Sequence, residues 1–186
     1  MRGKRTVVLP VLTAVAFLFS GASLNHSWAK PATTSLGMFE SSADVGTVLH
    51  PGSAEYDNST ETYLLTGSGE NMWFAADAFQ FVWKKMSGDV TLTADISFPT
   101  TTGNPHKKAV LMLRQSLAAD SVYADVALHG NGMTALQFRD EKGTLTREIK
   151  SNLSAPRRLR IAKRGDYVFM ALALSLIHIS EPTRPY

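Results

Sequence analysis

The sequence predicts an all-β fold, an antiparallel two-sheet β-sandwich, on three observations. Val90, Leu92, Ala94, Ile96 and Phe98 alternate without a break with Asp89, Thr91, Thr93, Asp95 and Ser97. That is the period of a strand with one face in a core and the other in water. Turn-forming clusters recur about every 8 to 12 residues along the chain, the spacing of sandwiches and barrels. Beyond Lys30 no apolar stripe has helical spacing.

The chain opens with Arg2, Lys4 and Arg5, an apolar run from Val7 to Phe19, and then small residues. This is the layout of a secretory signal peptide, and Ser27-Trp28-Ala29 supplies a small-x-small cleavage site before Lys30. Ser20-Gly21-Ala22 is the alternative site. The run is shorter than the roughly 20 apolar residues a bilayer span needs, so residues 1–29 are expected to be removed and no membrane span to remain. The expected location is periplasmic or extracellular. The chain has no cysteine, which excludes a lipobox anchor and a disulfide framework, so packing alone must hold the fold.

Residues 30–37 read as a polar linker and 38–173 as the sandwich domain. MFESSADVGTVLH reads as an irregular edge strand ending at the Pro51-Gly52 turn. Ala54–Tyr56 and Tyr63–Thr66 read as a hairpin about the tip Asp57-Asn58-Ser59-Thr60. Asn71–Ala78 reads as a helical turn or a loop that carries Trp73 and Phe74 onto one end of the sandwich. Phe79, Phe81 and Trp83 then point to one side of a strand, and rings of about 150 to 250 Å² each need an opposing layer. A core face is the ordinary reading and a sugar-stacking platform the rival. The turn Met86-Ser87-Gly88 is expected to fold this strand back as a hairpin onto Val90–Phe98.

Pro99–His106 is a Thr/Gly/Pro loop, and the continuous apolar run Ala109–Leu113 predicts a strand buried on both faces. In Val122–Leu128 the residues Val122, Ala124, Val126 and Leu128 are expected inward, and Tyr123, Asp125, Ala127 and His129 outward. Gly130-Asn131-Gly132 turns the chain into Met133–Asp140, with Leu136 and Phe138 opposite in direction to Gln137 and Arg139. Thr144–Lys150, Arg157–Arg164 and Tyr167–Ala173 complete about nine or ten strands. No internal repeat is evident, so a propeller built from this segment alone is not expected.

Residues Asp77–Trp83 with Ser87-Gly88-Asp89, Pro105–Ala109 with Arg114–Leu117, Tyr123-Ala124-Asp125 and His129–Gly132 resemble the concanavalin A-like lectin/glucanase sandwich. They are similar in particular to a domain of unknown function in exported bacterial proteins, where it stands alone or ahead of a TolB-like, WD40-type β-propeller. The resemblance implies a jelly roll and a possible partner in the protein's own C-terminal propeller. It also implies further strands after Leu172. In their place Leu174–Pro185 resembles a translated sequencing-library adapter, so 174–186 reads as a non-native tail, the domain as incomplete, and the chain as prone to aggregate. With Arg2, Lys4, Arg5 and Arg184 set aside with Glu181, 15 basic residues face 15 acidic ones. That balance argues against nucleic acid as a partner.

Glucanases of this class carry paired carboxylates, one acid and one nucleophile, as Glu-x-Asp-x-x-Glu on one strand. The chain has no such run, no Gly-x-Ser-x-Gly elbow and no HxH or HExxH spacing among its five histidines. No catalytic residue, metal ligand set or cofactor is therefore assigned, except that Asp57 and Asn58 are candidates for a structural calcium. The candidate ligand-binding residues are Arg114, Tyr123, Asp125, His129, Gln137 and Arg139. Together they would place aromatic, carboxylate and guanidinium groups on one sheet surface, suited to a sugar or peptide. The competing reading is a solvated network in which Asp125 pairs with Arg114 or Arg139. The function expected is a non-catalytic binding module, the alternative a glycoside hydrolase or lyase.

Overall fold

The structure, a computed structural model, describes residues 35–100 and 102–174. The expected leader, most of the linker and nearly all of the tail lie outside them. Eleven strands and no helix are present among the described residues, as the alternation predicts. No helix there is long and apolar enough to cross a membrane.

The middle layer is a four-stranded antiparallel sheet in the order β6 (Lys108–Arg114), β7 (Tyr123–His129), β8 (Thr134–Arg139), β9 (Arg147–Lys150). One face of it packs on a three-stranded sheet, β11 (Tyr167–Ala173), β10 (Arg158–Arg164), β5 (Val90–Asp95). Leu111, Val126, Leu128, Leu159, Ile161 and Leu172 fill the space between, flanked by Leu92, Ala94 and Leu136. Each such side chain contributes about 1.5–3 kcal/mol by leaving water. These two sheets are the sandwich.

The other face of the middle sheet is covered as well. β1 (Ser41–Val45) pairs antiparallel with β4 (Phe79–Trp83), with Val45 opposite Phe79 and Ala43 opposite Phe81. Val45, Phe79 and Met72 pack on Met112 and Tyr123 of the middle sheet. Phe79 of β4 is thus core as expected, and Phe81 packs partly buried against it, while Trp83 at the end of the row lies outside the cluster. The expected hairpin between β4 and β5 is corrected: β4 pairs with β1, and β5 with β10. The two strands carry different cargo, rings for one layer and aliphatics for the other. Residues 84–89 therefore change layers instead of turning back.

The hairpin of β2 (Ser53–Asp57) and β3 (Thr62–Thr66) forms as expected. At its tip, the Asp57 carboxylate accepts the Ser59 N–H and the Ser59 and Thr60 hydroxyls at 2.7–2.8 Å. These bonds hold its carboxyl down at about 2. Its oxygens are engaged in making the turn, the ordinary work of Asp in such a tip, and no group of three or more metal-ligating side chains occurs among the described residues.

On the outer face of the three-stranded sheet Arg158 forms a bidentate pair with Asp95 at 2.6 and 2.8 Å. Both side chains are about a third or more exposed, so water screens the pair. Arg158→Ala is expected to leave the denaturant melt nearly unchanged.

Candidate functional site

All six candidate residues lie on one face of β6–β8. Lys108, Met112 and Arg114 share it with Tyr123, Asp125, Ala127 and His129, and with Ala135, Gln137 and Arg139, because Met112 lies opposite Asp125 and Asp125 opposite Gln137. The direction assigned to each side chain from alternation is right. Its expected exposure is wrong. Tyr123 is 1 % exposed, Asp125, Gln137 and Arg139 are 0 %, and His129 is 4 %, because residues 71–78 and the β1–β4 pair cover the face.

Under that cover the six divide into two groups. The first is a knot around Asp77, a residue the sequence did not single out. Arg139 donates to both Asp77 carboxylate oxygens at 2.9 and 2.7 Å, and Arg114 Nη1 donates to Oδ2 at 2.9 Å. The remaining guanidinium N–H groups donate to backbone carbonyls of Phe74, Ser116, Ala118, Ser121 and Thr144. Both guanidiniums also lie over the Tyr123 ring, at 5.0 Å for Arg139 and 5.9 Å for Arg114, a cation–π geometry. The Tyr123 hydroxyl donates to the Met72 carbonyl at 3.1 Å or bonds Thr146 Oγ1 at 2.8 Å. Burial raises its phenol above the ordinary value. The expected pairing of Asp125 with Arg114 or Arg139 is thereby corrected: Asp77 takes both arginines. Every polar group here is partnered, so the knot ties residues 72–77 to the sheet and offers a ligand nothing.

The second group is Asp125, His129 and Gln137, joined by Lys108 and Glu148. Here satisfaction fails. Neither Asp125 carboxylate oxygen and neither His129 ring nitrogen has a hydrogen-bond partner, although all four atoms are buried. Burial raises the Asp125 carboxyl well above its usual range; Lys108 opposes this, as does, most weakly, the Gln137 backbone N–H, which lies near the carboxyl but outside hydrogen-bond geometry. Burial also pushes the His129 imidazole down to about 4, with the Lys108 and His106 charges acting in the same direction. Burial thus favours the neutral acid at Asp125 and the neutral imidazole at His129, forms that can each donate and accept.

The wall above them combines side chains with the backbone of residues 71–72. Lys108 stands opposite His129 on β6 and reaches Asn71 Oδ1 at 2.9 Å, Gln137 Oε1 at 3.2 Å and the Met72 carbonyl at 3.3 Å. Its ammonium lies 5.3 Å from the centre of the half-buried Trp73 ring. Gln137 in turn donates to Glu148 at 3.4 Å, and Glu148 pairs with exposed Lys150. Between Asp125 and His129 the strand carries Ala127, opposite Ala135. Both methyl-sized residues are fully buried, and Ala127 separates Asp125 from His129 along the strand.

No protein-family model matches the chain, and searches of curated proteins and of solved structures find no significant match. The fold and this face define the class reached here: an all-β sandwich with one partly unsatisfied polar face.

Proposed function

We propose that the chain is an exported, non-catalytic β-sandwich module that binds a hydroxyl-rich ligand, a glycan in preference to a peptide. The ligand would lie on the Asp125–His129–Gln137 face beneath Trp73 and Lys108. The observation that carries this reading is the set of four buried polar atoms without partners, since an unmade buried hydrogen bond costs about 1–3 kcal/mol. A sugar supplies neighbouring hydroxyls that donate and accept, the chemistry that a neutral acid and a neutral imidazole complement. Trp73 offers a ring on which a pyranose can stack. Entry requires the cover formed by residues 71–78, with Lys108, to open over this face. Export is supported by the charged start, apolar run and small residues of 1–29. The resemblance to concanavalin A-like domains supports the role of an accessory module beside a propeller in a longer protein.

A glycan and peptide array probed with the chain tests this. A bound glycan is expected, its affinity falling at least ~10-fold, about 1.4 kcal/mol, in Trp73→Ala and in Glu148→Ala with little change in melting temperature. Failure to bind any glycan would leave a structural spacer.

One observation favours an enzyme as the second reading. Asp125 and Glu148 flank Gln137 on the same face, so their strands lie roughly 10 Å apart, and burial raises the Asp125 carboxyl above its usual range. Such a pair suits acid–base hydrolysis of a glycoside. Turnover abolished by Asp125→Asn would establish it and remove "non-catalytic" from the proposal.

A further inference from the structure

A second site lies apart from the Asp125–His129–Gln137 group, although it shares Met112 and Arg114 with the covered face, and its case does not depend on the binding function proposed above. Between β4, the 84–88 connector and β6 the surface opens into a cleft of about 110 Å³. Its walls are apolar, formed chiefly by Phe81, Trp83, Met112 and Leu117. Its ionisable lining groups are all basic, Lys84, Lys85, Lys163 and Arg114, with no carboxylate among them. Arg114 is engaged with Asp77, and Lys84 stands on an exposed connector at the rim. The Trp83 indole N–H is buried in this wall and meets no acceptor.

We propose that this cleft binds a small amphiphilic carboxylate, a ring-sized apolar group seated between Trp83 and Leu117 with its anionic head at the lysine rim. Two features select that ligand. An apolar cavity of about 150 Å³ holds benzene. This cleft, smaller at about 110 Å³ but open at its mouth, suits a ring that projects partly from it or a short acyl chain and excludes a folded segment of protein. The head should carry negative charge, because every ionisable group lining the cleft is a cation. The Trp83 N–H is a donor in want of such an acceptor, and a carboxylate oxygen accepts strongly from it.

The test is a titration of the chain with 3-phenylpropionate, 3-phenylpropanol and 3-phenylpropylamine, which share a ring and differ in head charge. The propionate is expected to bind at least ~10-fold more tightly than the amine, with the alcohol between them and the difference shrinking as salt rises. Trp83→Phe keeps a ring but removes the N–H and should weaken the propionate by roughly 3- to 10-fold, the worth of one hydrogen bond. Leu117→Trp, which fills the cleft, should abolish binding. Lys84→Glu lies on the exposed connector, where folding is not at stake, and should narrow or reverse the preference. Equal affinity for the three probes, no saturable binding of the propionate, or a charge preference indifferent to Lys84→Glu would overturn the proposal.

Discussion

Asp77→Ala is expected to lose about 3–5 kcal/mol of stability, the cost of breaking a buried ion pair by removing one partner. At roughly 2–4 °C per kcal/mol for a chain of this size, the thermal melt followed by circular dichroism should fall by about 6–20 °C. The reason is what remains behind. Arg114 and Arg139 have side chains 2 % and 0 % exposed, and without Asp77 two cations would share one buried site with no anion. The carbonyls of Phe74 and Ala118 satisfy their N–H groups but carry no net charge. Replacing all three charged residues at once, as in Asp77→Leu with Arg114→Met and Arg139→Met, should recover much of the loss, because apolar substitutes of similar volume are often neutral or stabilising in such clusters. A single variant as stable as the parent would show that the knot contributes nothing net.

The second large effect concerns pH, and Asp125 and His129 act with opposite sign. A carboxyl whose folded value is raised binds a proton that the unfolded chain releases. Its contribution therefore falls as pH rises above the ordinary carboxylate value near 4, until the folded group also ionises. An imidazole lowered to about 4 does the reverse. Its contribution is complete above the ordinary value near 6.5 and is lost as pH falls toward 4. Asp125→Asn removes the first dependence. It is expected to be more stable than the parent by about 1–3 kcal/mol at pH 7–8, the scale of a buried unsatisfied group, with the advantage vanishing near pH 4. His129→Gln removes the second and should flatten the decline between pH 6.5 and 4. Denaturant melts of the three proteins across pH 4–8 check both, and parallel curves would mean that neither group titrates differently on folding.

How far the sequence could be read is clearest at β7. Alternation placed Tyr123, Asp125 and His129 on one side and Val126 and Leu128 on the other, correctly. It could not show that both sides are covered, because the cover comes from Met72, Asp77 and Phe79, which are distant along the chain and, before β4, lie in a loop without periodicity. A hint existed nonetheless. The run Ala109–Leu113 indicated a strand buried on both faces, and the neighbouring strand of a sheet shares its environment. The supposedly outward row of β7 also contains Ala127 but no Lys, Glu or Thr, an unusual composition for a wet face. Asp77 itself had no such signal, since one carboxylate in a loop most often sits in water. Lys108 and Glu148 were missed for a related reason: each is an ordinary charged strand residue until the register brings it beside Gln137.

The complete burial of β7 has a consequence for how its partners find their alignment. Its two sides are unlike, one aliphatic and the other polar, and a slip of a single residue exchanges them. Asp125 and His129 would then enter the layer lined by Leu159 and Ile161, while Val126 would face Asp77 and its arginines. Two aliphatic sides would tolerate that misalignment far better, so the charged and amide groups inside this protein mark the one pairing of its central strands that fits.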